Sequence, residues 1–271
     1  MGQDPARAFE DVPGSDPAVS FLRSTYPPHL FEPLPPRGED LVGAPFVTLT
    51  YAQSLDAKIA GKAGKQLILS GKDSMGLTHR MRELHDSILV GIGTLLNDDA
   101  QLNARIPHRL PVALQPTPII LDGLLRTPRD CKLLQNYLAG IGKAPIIVSE
   151  KRSAQEAEAL GVAANQADLE RAGAIVIFAD FEDQPHLSLK NLLAVPELRR
   201  HLGRSLMIEG GSSIISSFLP APEVDMIVTT VAPVYVGEGV DLLRHNTQVP
   251  QLDHVKTQIF GKDTVFACRR Q

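Results

Sequence analysis

The residues best suited to chemistry stand just after short apolar runs, where a turn would leave polar groups uncovered. SLMIE (205–209) is followed by Gly210, Gly211, Ser212 and Ser213, and then by the apolar-periodic IISSFL. Glycines let a ligand approach the main chain, free N–H groups at a helix start attract phosphate, and serines add hydroxyl donors. The same pattern also suits an ordinary tight turn with a serine cap. Glu209 closes an otherwise apolar run, and a carboxylate there is costly unless it has a partner or a task. SILV (87–90) is followed by Gly91, Ile92, Gly93 and Thr94. Leu96 breaks the G-x-G-x-x-G fingerprint. Asp98, one helical turn beyond Thr94, could accept from a ribose hydroxyl or a carboxamide, or sit in a solvated turn. Beyond Ala52, Asp56 and Lys58 place a carboxylate near an ammonium, suited to acid catalysis or to anchoring a substrate. They would equally make a surface pair worth less than about 1 kcal/mol. Arg82 and Arg105 offer planar forks for an anion. His79 and His85 lie six apart, poor spacing for shared metal ligation on a helix, and read as structural.

These residues need a scaffold, and the apolar runs supply one. FVTLTYA (46–52), SILVGIG (87–93), TPIILD (117–122), APIIVS (144–149), AIVIFA (174–179), SLMIEG (205–210) and DMIVTTVAPV (225–234) alternate with helical patterns. That alternation predicts an α/β fold with a mostly parallel central sheet and helices on both faces. Ligands of such sheets bind beyond the carboxyl ends of the strands, where the residues above fall. Ser70 with Asp73 predicts a helix over 71–85, and Ser153 with Glu156 one running to about 172. Ser188 starts another, with a restart at Pro196. Residues 255–270 read as an antiparallel C-terminal hairpin around Gly261, Lys262 and Asp263. The prolines crowded into residues 1–44 predict a loose or surface-wrapping extension, with the ordered domain over 45–271.

The bulk properties exclude several classes. A net charge of −4 and a pI near 6.1 give no basic field for nucleic acid or an anionic membrane. No apolar run approaches the ~18 residues of a membrane span, and MGQDPARAFEDVPGS lacks a signal-peptide pattern. Cys131 and Cys268 have no partner at metal-ligand spacing and fit no disulfide framework, so a reducing, cytoplasmic setting and no metal are expected. G-x-S-x-G, H-E-x-x-H and the P-loop are absent from the sequence.

Three stretches become specific when taken together: PFVTLTYAQSLDAKIA (45–60), MRELHDSILVGIGTLLNDDAQLNAR (81–105) and LMIEGGSSIISSFL (206–219). Over about 45–240 the chain resembles the reductases of riboflavin biosynthesis. These are the fungal-type enzymes acting on 2,5-diamino-6-ribosylamino-4(3H)-pyrimidinone 5′-phosphate, related to the reductase half of the bacterial deaminase-reductase. The resemblance implies a dihydrofolate-reductase-like fold, NADPH as cofactor, a phosphorylated pyrimidine as substrate and a homodimer. It puts Ala52, Ile68, Thr94, Asp98, Gly210, Gly211, Ser212 and Ser213 on the cofactor. It puts Gln66, Arg82, Leu102, Arg105 and Glu209 around the substrate, the arginines toward its phosphate. Asp56 and Lys58 flank the same pocket, and Asp56 and Glu209 are the candidate proton donors. The implied reaction is hydride transfer from NADPH C4 to C1′ of the ribosylamino group in its open imine form. A pterin or folate reductase of the same fold, or a nucleotide-binding module without turnover, are the alternatives.

Three departures from the family stand out. Ala57 replaces a frequent glycine, and Ile68 replaces a tryptophan frequent in the bacterial branch. Residues 1–44 hold no H-x-E and no P-C-x-x-C, so reduction without deamination is expected. The apolar run 225–236, read as an uncovered sheet edge with the hairpin beside it, is the expected dimer surface.

Overall fold

Ile88 and Val90 face one helical layer while Leu89, between them, faces the other, and this alternation repeats along the sheet. A strand buried on both faces must be apolar at successive positions, which is why the runs above are continuous. The computed structural model describes residues 16–32, 43–106, 108–180, 188–244 and 247–271.

The strands are β1 (Phe46–Gln53), β2 (Lys58–Gly61), β3 (Ser87–Gly91), β4 (Thr117–Leu121), β5 (Ile146–Glu150) and β6 (Ile175–Ala179). They continue with β7 (Ser205–Glu209), β8 (Met226–Val231), β9 (Gly239–Asp241), β10 (Leu252–Phe260) and β11 (Asp263–Arg270). Nine of them form one sheet in the order β10-β11-β8-β1-β7-β3-β4-β5-β6. From β8 to β6 every pairing is parallel, and the β10–β11 hairpin closes the sheet antiparallel. β2 and β9 pair separately as a small flap. This flap is not legible in the residues, because Lys58–Gly61 is too short to show a period.

On one face lie α1 (Pro17–Thr25), α2 (Lys72–Leu84), α3 (Ile92–Asp98), α4 (Lys132–Leu138) and α6 (Val162–Arg171), the last following the short α5 (Ala154–Ala159). On the other lie α7 (Leu189–Leu193), α8 (Pro196–Leu202) and α9 (Ser212–Phe218). The Ser153–Glu156 capping box forms, but Gly161 in a left-handed conformation splits the expected single helix into α5 and α6. Ser70 does not cap α2. Asp263 does that work from the hairpin, accepting from the Gly71 N–H at 2.6 Å and from the Ser74 hydroxyl.

Two expectations are corrected. The proline-rich extension is expected to be loose or to wrap the surface, yet Pro17 sits at the first helical position, where it needs no N–H partner, and the helix it starts enters the core. Phe21, Leu22 and Leu30 are fully buried, and Phe21 meets Phe260 edge-on at 5.6 Å. A boundary at residue 45 therefore cuts through one continuous core; residues 1–15 and 33–42 lie outside the described residues. β8 is likewise no edge, since it pairs with both β1 and β11.

Candidate active site

The carboxyl ends of the parallel strands open into a cavity of about 770 Å³. Ala52, Gly91, Leu121, Glu209 and Thr230 bring the ends of β1, β3, β4, β7 and β8 to it. The flap adds Ile59, Ala60 and Val240, and the segment before α2 adds Gln66 through Ser70. An open α/β sheet places its ligand crevice here because the loops diverge at the strand ends.

One wall is glycine-rich. Gly210 and Gly211 lie between β7 and α9, across from Thr94 on α3. A Cβ on Gly211 would stand 3.8 Å from Thr94 Oγ1 with nothing nearer, so the space beyond this backbone is open. Gly211 is extended, at φ −75° and ψ 173°, a conformation open to any residue. Gly210 differs, because a Cβ there would meet Ile214 at 2.9 Å. Ser212 and Ser213 also line the cavity, although the Ser213 hydroxyl already accepts from the Arg244 guanidinium. Asp98 faces the cavity one turn after Thr94, and burial raises its carboxyl above the ordinary range. Ile68 lines the rim at 88% exposure.

The second wall is charged. Arg82, from α2, grips Glu209 through two 2.8 Å hydrogen bonds, so the carboxylate closing β7 has the partner its position demands. Arg82 Nη1 also donates to the Asn103 carbonyl at 3.2 Å. Arg105 Nη1 reaches the same carbonyl at 3.4 Å and Asn103 Oδ1 at 3.0 Å. Burial, then the charges of Arg82 and Arg109, hold the Arg105 guanidinium below the usual arginine range, while Glu209 opposes them. Arg105 itself does not line the cavity, but stands behind Arg82 through Asn103.

Two expected site residues have other roles. Asp56 does not line the cavity. It accepts from the Ser54 hydroxyl at 2.6 Å and from the Gly237 and Val236 N–H groups at 2.8 and 3.1 Å. These bonds hold its carboxyl down at about 2, so the proton-donor role is corrected to one of fastening the flap loop. Leu102 is 1% exposed, and its side chain packs in the core while its backbone takes φ +47°. Its neighbour Asn103 presents the polar groups, so Leu102 shapes the loop without facing a ligand.

Sequence reasoning missed Asn103, Arg126 and Arg244. Arg126 lines the cavity beyond β4, where the buried Asp122 engages its Nε at 3.4 Å. A lone arginine in a loop carries no sequence signal of this placement. Ala57, where the family often has glycine, takes φ +55°, which explains the preference. Among the described residues no cluster of His, Cys, Asp and Glu could hold a metal.

The sequence profile of the RibD C-terminal domain matches residues 45–266. A 2,5-diamino-6-ribosylamino-4(3H)-pyrimidinone 5′-phosphate reductase of Eremothecium gossypii is 34% identical over 264 residues, covering 93% of this chain and 98% of its own. The reductase of the same name from Candida glabrata is 34% identical over 229 residues, covering 81% and 86%. A solved riboflavin biosynthesis reductase of Saccharomyces cerevisiae superposes with a TM-score of 0.63 at 26% identity, over 88% of this chain and 96% of that one. The profile match, the near full-length similarity and the superposition thus converge, and the chain belongs to the RibD C-terminal domain family.

Proposed function

We propose that this chain reduces the ribosylamino side chain of 2,5-diamino-6-ribosylamino-4(3H)-pyrimidinone 5′-phosphate to the ribitylamino product, with NADPH as reductant. The observation that carries the reading is the second wall, where Arg82 and Arg105 converge on Asn103 beside Glu209. Two guanidinium groups against one carboxylate leave positive charge uncompensated beside the cavity, which suits a phosphorylated substrate and disfavours an uncharged pterin.

NADPH would supply a hydride at its C4. The Gly210–Ser213 turn and Thr94 offer backbone and hydroxyl donors for its phosphates, with Asp98 as a ribose acceptor. Arg82 and Arg126 are the arginines lining the cavity among the described residues, and Arg82 is engaged on Glu209. Arg126 meets Asp122 only through its Nε, at 3.4 Å, which leaves its Nη groups for a 2′-phosphate and supports NADPH over NADH. Gln66 and Glu209 face the substrate; Glu209, both oxygens engaged by Arg82, orients it, and water passes the proton to the imine nitrogen as C1′ is reduced. Substrate positioning and exclusion of water are the chain's main contributions.

A homodimer in the cytoplasm belongs to the same reading. The surface that suits it is the outer face of the hairpin, where Ile259 is 70% and Phe266 36% exposed. Light scattering that finds a monomer at micromolar concentration removes the dimer. The reaction is tested by following NADPH consumption with the pyrimidine phosphate, its dephosphorylated form and dihydrofolate. Turnover is expected with the first and a raised KM with the second; turnover of dihydrofolate alone would favour the pterin-type alternative.

A further inference from the structure

Gln115 is 1% exposed and touches no part of the cavity, yet every hydrogen-bonding group of its amide is engaged on one loop. Its Oε1 accepts from the Ala104 N–H at 2.8 Å, and its Nε2 donates to the carbonyls of Ala104 at 2.9 Å and Leu110 at 3.0 Å. A side chain here does what a neighbouring strand would do, closing residues 104–110 at both ends. Between those ends lie Arg105, His108 and Arg109, with no carboxylate. On the other side His79, fully buried in α2, accepts the Arg105 N–H on its Nδ1 at 3.2 Å. Burial, with Arg82 and Arg105 adding to it, keeps that imidazole neutral, its pKa down at about 3, so the acceptor nitrogen persists at physiological pH.

The backbone on both sides of the Arg105 amide is thus fixed while its guanidinium reaches Asn103. The loop also carries a cost, because its cations repel one another and Arg82, and a loop free to relax would part them. We infer that Gln115 and His79 are positioning residues that clasp this cationic loop, keeping Arg105 behind Arg82, where its charge reinforces the anion-binding wall of the cavity. The inference rests on the reading of Arg82, backed by the charge of Arg105, as the anchor for the substrate phosphate. The clasp acts on binding of the phosphorylated end and leaves the reacting end untouched.

Gln115→Met keeps the length and removes all three hydrogen bonds. It is expected to raise the substrate KM by about tenfold, with kcat and the Kd for NADPH near wild type. Inorganic phosphate, used alone as a competitive inhibitor, should weaken in the same ratio. Arg105→Ala should also raise KM, and Gln115→Met added to it should raise KM no further, because the clasp acts through Arg105. If Gln115→Met does not fold, His79→Phe carries the same measurements, since it keeps the ring and loses the acceptor. A wild-type KM in the clasp variant, or an equal KM rise on the Arg105→Ala background, overturns the inference while the phosphate-anchor reading stands. An unchanged KM in Arg105→Ala overturns that reading and the clasp with it.

Discussion

Two adjacent glycines, with opposite surroundings, separate a ligand-binding role from a structural one. At Gly211 the backbone is extended and an added Cβ meets only Thr94 Oγ1, at 3.8 Å. Gly211→Val should therefore fold, losing only glycine's modest preference at the start of α9, about 1 kcal/mol or less. The new side chain would project into the space assigned to the cofactor phosphates. An apparent Kd for NADPH raised by about tenfold or more is expected, some 1.4 kcal/mol. At Gly210 the added Cβ meets Ile214 Cβ and Cγ2 at 2.9 Å, so the packing of α9 on β7 must shift. Overpacking of this kind costs about 1–3 kcal/mol. For a domain of this size that lowers Tm by roughly 5 °C. Fluorescence titration with NADPH beside thermal melts reads both quantities on both variants. Wild-type NADPH affinity in well-folded Gly211→Val would refute the phosphate-turn assignment and turn attention to Gly91, Gly93 and Thr94.

Other perturbations test the scaffold and its electrostatics. Ala57→Gly should raise stability, because the left-handed backbone costs alanine about 1–2 kcal/mol and glycine's extra chain entropy returns about half of that; an unchanged or lower Tm contradicts this. Phe21→Ala should cost about 3–5 kcal/mol by emptying a fully buried site against Phe260, read as a loss of urea midpoint, and a near-neutral result would restore the loose-extension view. His79 has a depressed pKa, so the unfolded chain binds the extra proton and stability should fall as pH drops from about 6.5 toward about 3. In His79→Phe that part of the pH dependence should flatten, and an unchanged slope over the same range contradicts the assignment. Asp56, depressed to about 2, adds its own loss only below the ordinary carboxylate range, as pH falls from about 4 toward 2.

The strands were legible because burial on both faces forces continuous apolar runs, and the cavity followed from the rule that strand ends diverge. Gly210–Ser213 and Gly91–Thr94 could be found because glycines after such runs mark a turn at a strand end, although an ordinary tight turn leaves the same mark. What stayed hidden depends on contacts between distant segments. The flap rests on Asp56 reaching Val236 and Gly237, and α2 is capped from Asp263 across almost two hundred residues. The clasp rests on one glutamine in a proline-rich stretch, where no period marks it. The helix at Pro17–Thr25 was masked by its neighbouring prolines, although Val19, Phe21 and Leu22 carry an apolar stripe. Leu102 was misplaced because a positive φ turns its side chain into the core, a reversal invisible in the residue type.

Direct hydride transfer to the open-chain sugar is the centre of the proposed function, and deuterium labelling tests it most directly. The chain should be incubated with the ribosylaminopyrimidine phosphate and NADPH deuterated at both C4 positions, and the product analysed by mass spectrometry and proton NMR. The account predicts a ribitylamino product carrying one deuterium, located at C1′. A reduced product free of deuterium, deuterium at another carbon, or no consumption of NADPH beside intact substrate would contradict it.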